Sequence, residues 1–136
     1  MSSNLRHVTL SWTHDLAFEG GPPGGPHVTV DGAGKTGISP VVMLLVSLAG
    51  CTGSDIVLIL GKMRVELRRL EIAVTGTRRE TEPRRYVALH LMFRVAGAGL
   101  DETKARRAID LSIEKYCSVV HSLASDIAIT YDLAIE

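Results

Sequence analysis

Cysteine is scarce in this chain. Cys51 and Cys117 are the only two, with 65 residues between them, which excludes the dense disulfide framework of a small secreted protein and the paired CxxC signature of a zinc site. A reducing, cytoplasmic setting is the expectation. Net charge is missing too, since 15 Lys and Arg offset 15 Asp and Glu. No long-range field then steers the chain onto nucleic acid or an acidic membrane. Met1 to Trp12 lacks the basic start, apolar run and small-residue cleavage site of a secretory signal, so these residues are expected in the mature protein. No HExxH pattern links the five histidines, and no GxSxG elbow is present, so neither a zinc protease nor a hydrolase triad can be assembled. These patterns call for no cofactor.

What is present is one domain's worth of chain, taken as residues 1–136, at 14.7 kDa. A chain of this size buries roughly 65 to 70% of its unfolded surface, enough for an unstapled core. Val8, Leu10 and Trp12 alternate with polar residues over His7 to Thr13, the period of a half-buried strand. Leu16 and Phe18 continue it beyond a turn at His14 and Asp15, giving a hairpin. Gly20 to Pro26 reads as a loop, His27 to Val30 as a third strand, and Asp31-Gly32 as a turn into a flexible run ending at Gly37. Ser39 at the cap and Pro40 in the first turn open a long helix to about Arg64.

Two further strands follow, one on Leu70, Ile72 and Val74, the other on Val87, Leu89, Leu91, Phe93 and Val95, joined through Arg78, Arg79, Arg84 and Arg85. Asp101 caps a second helix whose buried stripe is Ala105, Ala108, Ile109, Ser112, Ile113 and Tyr116. Cys117 falls at its end or opens a further turn. Ile127, Ile129, Tyr131, Leu133 and Ile135 make a last strand. This order is α+β, with hairpins implying mostly antiparallel pairing.

Val41 to Leu60 is long enough to cross a bilayer. Its centre is Cys51-Thr52-Gly53-Ser54-Asp55, however, and an ionised Asp there would cost ~2.5 to 3.5 kcal/mol. A helix apolar on nearly every side is otherwise buried in protein, and in so small a chain that takes a second subunit.

Gly34-Lys35-Thr36 invites a phosphate-loop reading. The glycine that should open the motif is replaced by Thr29, and Ser39-Pro40 delays the helix, so a loop with a solvated lysine is expected instead. Cys51 has small neighbours that leave its sulfur accessible from one side. Each cysteine reads either as a small core hydrophobe or as one half of a redox pair. A third option is zinc on Cys117, His121 one helical turn on, and Cys51. Asp55, one turn after Cys51, is expected to satisfy a buried polar contact or a helix terminus rather than act as a base. His90 falls on the polar face of its strand.

Ser39-Pro40, Leu44-Leu45, Ser47-Leu48-Ala49-Gly50-Cys51-Thr52, Asp55-Ile56-Val57, Ile59-Leu60 and Lys62-Met63-Arg64 together resemble the OsmC/Ohr family, the osmotically inducible and organic hydroperoxide resistance proteins. Ala108 to Leu123, with Lys115-Tyr116-Cys117-Ser118-Val119, is similar to that family's second cysteine segment. The resemblance implies an OsmC-like fold in an intertwined homodimer, with long apolar helices at its centre. It also implies a thiol peroxidase of organic hydroperoxides, in which Cys51 attacks, Cys117 resolves and an external dithiol reduces the resulting disulfide. No metal, cofactor, nucleic acid or membrane enters that scheme. Its activating Arg and Glu have no counterpart here, because Val41 and Val42 follow Pro40 and no arginine lies between Trp12 and Met63. The chain is in this respect similar to the OsmC-like branch with Lys-Met-Arg and Lys-Tyr-Cys. Lys35, His27, His121 or a partner's arginine would have to supply the charge. The alternative is a stress-response protein that binds a small hydrophobic ligand.

Overall fold

The structure, a computed structural model, describes residues 4–136. It divides into two compact units, one ending at Leu44 and the other Leu45–Glu136.

The first unit holds a three-stranded antiparallel sheet of β1 (Thr9–His14), β2 (Ala17–Gly21) and β3 (Val28–Asp31), with β2 in the middle. The hairpin forms as expected, but His14 is the last rung, opposite Ala17. The turn is therefore Asp15-Leu16, with Asp15 in the left-handed region (φ 46°) and the Trp12 indole donating to its carbonyl at 2.8 Å. Gly20 and Gly21 belong to β2 rather than to the loop. A Cβ on Gly20 would lie 1.9 Å from the Thr9 carbonyl oxygen, so the glycine is what lets β1 pair this closely. The alternation along β1 is real, yet its apolar face is not half-buried. Val8, just before β1, and Leu10 and Trp12 on it are exposed, Trp12 by 65%.

The run after β3 is not loose either. The buried Asp31 carboxylate accepts from the backbone amides of Ala33, Lys35 and Thr36 and from the Thr36 hydroxyl at 2.8 to 3.2 Å. These bonds, the Thr36 and Ala33 amides foremost, hold its pKa down at about 2.

Helix α1 (Pro40–Lys62) begins where the cap and proline place it, with the Ser39 hydroxyl accepting from Val42 N at 3.4 Å. It ends at Lys62 rather than Arg64. Arg64 takes the left-handed position (φ 62°) and Val65 N–H reaches back to the Leu60 carbonyl at 3.0 Å, closing the helix. The buried stripe is Leu48, Thr52, Gly53, Ile56 and Leu60.

The second unit's sheet runs β4 (Glu66–Arg78), β5 (Tyr86–Ala98), β6 (Ala128–Ile135), with β5 central. β4 and β5 are antiparallel, whereas β6 returns parallel to β5, a crossover made by α2 (Glu102–Leu111), a π turn at Ser112–Tyr116, and α3 (Ser118–Ser122). Asp101 Oδ1 accepts from Lys104 N at 2.8 Å and caps α2 as expected.

Three residues of the stripes expected in this unit leave the core, one of them Ile135 near the end of β6, 42% exposed. The register slips between Thr77 and Arg78, so Tyr86 turns inward and Val87 outward, 37% exposed. Tyr116 is exposed because the π turn rotates it off the α2 face. The core itself gathers Leu89, Leu91, Phe93 and Val95 of β5, Ile56 and Leu60 of α1, and Ala108 and Ile109 of α2. Phe93 meets the Tyr131 ring edge-on at 5.7 Å. Gly53 allows α1 to approach β4, since a Cβ there would stand 3.1 Å from Ile72 Cδ1. By length and composition α1 could cross a membrane, but this stripe is committed to the sheet.

Candidate functional site: a cysteine pair

Cys51 sits in the fourth turn of α1, beside the buried Thr52 and half-buried itself. Cys117 comes from the other end of the crossover. The π turn closes when Cys117 N–H donates to the Ser112 carbonyl at 2.7 Å. Cys117 then leaves helical geometry (φ −69°, ψ 106°) and caps α3, its sulfur accepting from Val120 N at 3.5 Å. The Thr52 hydroxyl lies 3.5 Å from the same sulfur. Both thiols are free, and the Cys51 sulfur is within interacting range of Cys117. The two cysteines that the resemblance pairs are thus brought near each other.

The two thiols differ in access. Cys117 is fully excluded from solvent, and burial pushes its pKa up. Thr52 and the Val120 amide pull it back, and Cys51 adds to the rise. Cys117 is accordingly a protonated, shielded thiol at neutral pH, and Cys51 is the sulfur a small oxidant can reach.

The other candidate residues fall as follows. Asp55 accepts a hydrogen bond from the buried Ser112 hydroxyl at 2.9 Å, which is the polar contact expected of it. His121 donates its backbone N–H to the Cys117 carbonyl at 3.1 Å, and the residue is exposed. No group of three His, Cys, Asp or Glu among the described residues stands close enough to hold a metal ion, so Cys51, Cys117 and His121 do not form the zinc site weighed from their spacing. Lys35 lies in the first unit, and the amides of its loop are spent on Asp31. The Ala33, Lys35 and Thr36 amides are therefore not available to cradle a phosphate. His27 pairs with Glu19 at 3.5 Å, and His90 bridges Thr130 and Asp132 at 2.7 and 3.1 Å. No Lys or Arg among the described residues hydrogen-bonds to the Cys51 sulfur.

Thr52, Ser112 and the Val120 amide were not among the candidate site residues read from sequence, although Ser112 was placed in the buried stripe of the second helix. Thr52 adjoins Cys51, and Ser112 stands five residues before Cys117, a spacing that acquires meaning only with a π turn. A groove of about 440 Å³ lies between the C-terminal half of α1 and the end of α2 with its π turn, and neither cysteine lines it. Leu58, Ile59, Met63, Leu111 and Tyr116 line it together with Asp55, Lys62 and Arg107. Neither cation has an ion pair among the described residues.

A family model described as OsmC-like protein matches residues 32–132. Protein YhfA of Escherichia coli (strain K12) is 37% identical over 123 residues, covering 90% of this chain and 92% of YhfA. The crystal structure of a hypothetical protein from Aquifex aeolicus VF5 superposes with a TM-score of 0.84 at 28% identity, over 98% of each chain. The organic hydroperoxide resistance protein OhrB of Bacillus subtilis shares the fold, with a TM-score of 0.65 at 17% identity over 98% of this chain and 100% of OhrB.

Proposed function

The chain belongs to the OsmC-like protein family, and from that premise we propose that it is a cytoplasmic thiol peroxidase that reduces organic hydroperoxides, with Cys51 attacking and Cys117 resolving. The observation that carries this is the asymmetry of two adjoining free thiols, one half-exposed and one fully buried. The kinship of fold with an organic hydroperoxide resistance protein agrees with it.

In the first step the Cys51 thiolate attacks the terminal peroxide oxygen. The O–O bond breaks, the alkoxide takes up a proton and leaves as alcohol, and Cys51 becomes a sulfenic acid. The Cys117 sulfur then displaces that oxygen as water, forming the disulfide. An external dithiol restores both thiols by exchange. A shielded second thiol suits this order, because it can meet only the oxidised first one.

The working unit in this proposal is a homodimer. The partner copy covers the apolar residues left bare on α1 and can bring a cation toward Cys51. The assay is dithiol-dependent consumption of cumene hydroperoxide. Wild type should turn over, Cys51→Ser should fall to the background rate, and Cys117→Ser treated with one equivalent of peroxide in the absence of dithiol should leave a trappable sulfenic acid where wild type leaves a disulfide. Absence of turnover, or turnover indifferent to Cys51→Ser, would sink the proposal.

The groove supports a second reading, in which the protein binds a small hydrophobic ligand and the cysteines are structural. Its apolar walls would hold the tail, while Lys62 and Arg107 favour an anionic end. Native mass spectrometry showing a bound amphiphile in a protein without peroxide turnover would select it.

A further inference from the structure

We infer that Ser112, anchored by Asp55, is a positioning residue that holds Cys117 against Cys51 and so makes the pair close readily to a disulfide. The inference rests on the peroxidase reading for its biological meaning, though its chemistry concerns the dithiol alone.

Ser112 is tied on three sides. Its N–H donates to the Ala108 and Ile109 carbonyls at the end of α2. Its carbonyl accepts the Cys117 N–H at 2.7 Å, the bond that closes the π turn. Its hydroxyl donates to Asp55 Oδ2 at 2.9 Å. Asp55 lies one turn after Cys51 on the same side of α1. A closed circuit results, running from Cys51 along α1 to Asp55, across to Ser112, and through the π turn to Cys117. The sulfurs are the two ends that this circuit brings together.

Apolar packing of α2 onto the core is non-directional. The hydroxyl-to-carboxylate bond is directional, and it joins the helix that carries one cysteine to the turn that presents the other. Single π turns cluster at functional sites, and here the wide turn replaces what would otherwise be a continuous helix carrying Cys117 past α1. Removal of the Ser112 hydroxyl would free the turn and lower the effective concentration of one thiol at the other.

The test is equilibration of the intact protein with mixtures of reduced and oxidised glutathione, in which protein dithiol plus glutathione disulfide gives protein disulfide plus two glutathione thiols. The Cys51–Cys117 disulfide is counted by acid quench, alkylation and mass spectrometry. Ser112→Ala should shift this equilibrium toward the dithiol by about tenfold, equivalent to a rise of about 30 mV in reduction potential. Asp55→Ala should do the same, and the double variant should be no worse than either single one, because all three break one bond. Ser112→Thr keeps the hydroxyl and should return to within about twofold of wild type. Should Ser112→Ala fail to fold, Ser112→Thr against Ser112→Val gives the same comparison at matched shape. An equilibrium unchanged when the hydroxyl is lost, or a wild type that forms no disulfide, overturns the inference. A protein that closes its disulfide in this hydroxyl-dependent way yet ignores peroxide would defeat the proposed function and leave the positioning role standing.

Discussion

At the Cys117 sulfur, burial and hydrogen bonding pull in opposite directions. Burial raises the thiol pKa and is the larger effect, while the Thr52 hydroxyl lowers it. Thr52→Val, which removes the hydroxyl at nearly constant shape, should move the Cys117 titration further up, read from thiolate ultraviolet absorbance in a Cys51→Ser background. A titration that stays or falls would show that Thr52 donates nothing to the sulfur. The same rise bears on stability. A folded pKa above the unfolded one contributes stability that is complete below the ordinary thiol range and is lost as pH rises through the folded value. The urea midpoint should therefore fall as pH rises past the ordinary thiol value of about 8.5, and less steeply in Cys117→Ala. Tyr131, raised by burial and by Asp110, acts the same way at the upper end. Asp31 works in the opposite direction. Its folded pKa is depressed from 3.8 to about 2, so its contribution is present above the ordinary carboxylate value and disappears as pH falls through about 2. The acid limb of the melting temperature should flatten in Asp31→Asn, and equal limbs in the two proteins would exclude the amide cradle as the cause.

Along the elements, β5 separates what periodicity can reveal from what it cannot. Strict alternation puts Val87 inside with Leu89, Leu91, Phe93 and Val95. The bulge opposite Arg78 turns Val87 outward, while Leu89 is 2% exposed. Leu89→Ala should thus cost about 2 to 5 kcal/mol in urea unfolding, and Val87→Thr within about 0.5 kcal/mol. Equal costs would restore the unbroken alternation. This is how legibility divides across the chain. Periods of two and of three to four located six strands and two helices, and side-chain caps marked where the helices start at Ser39 and Asp101. Both signals are local. The bulge, the π turn that ejects Tyr116, and the strand pairing that requires Gly20 depend on a neighbour distant in sequence, and no period records it. The cysteines show the same limit. Their closeness follows from a parallel crossover and a π turn, and only the likeness of their two segments to a known family indicated it beforehand. Asp31 was visible as a turn residue, but its role as acceptor for a whole loop depends on backbone that curls around it.

For the whole molecule, the open question is what covers the apolar surface. On α1, Val46, Val57 and Leu58 are exposed, Leu58 by 65%, and the first sheet presents Leu10 and Trp12, with Val8 exposed just before it. Apolar exposure of this kind marks an interaction surface. Zero net charge puts no repulsion between two copies. A homodimer should then weigh about twice 14.7 kDa by light scattering, and its melting temperature should climb with protein concentration, since dissociation and unfolding are linked. Leu58→Asp separates interface from core. Leu58 already faces solvent within one chain, so the substitution does little to the isolated fold, but it places a carboxylate in any apolar interface, where desolvation strongly opposes it. The variant should run at half the wild-type mass with its far-ultraviolet circular dichroism retained, and its melting temperature should be lower and independent of concentration. Its peroxide turnover would then show whether the partner supplies the cation missing beside Cys51, because a site completed across the interface loses activity with the dimer and a self-contained one does not. A wild type that stays monomeric at micromolar concentration, with a melting temperature blind to dilution, would remove the dimer and leave the groove between α1 and α2 open for another occupant.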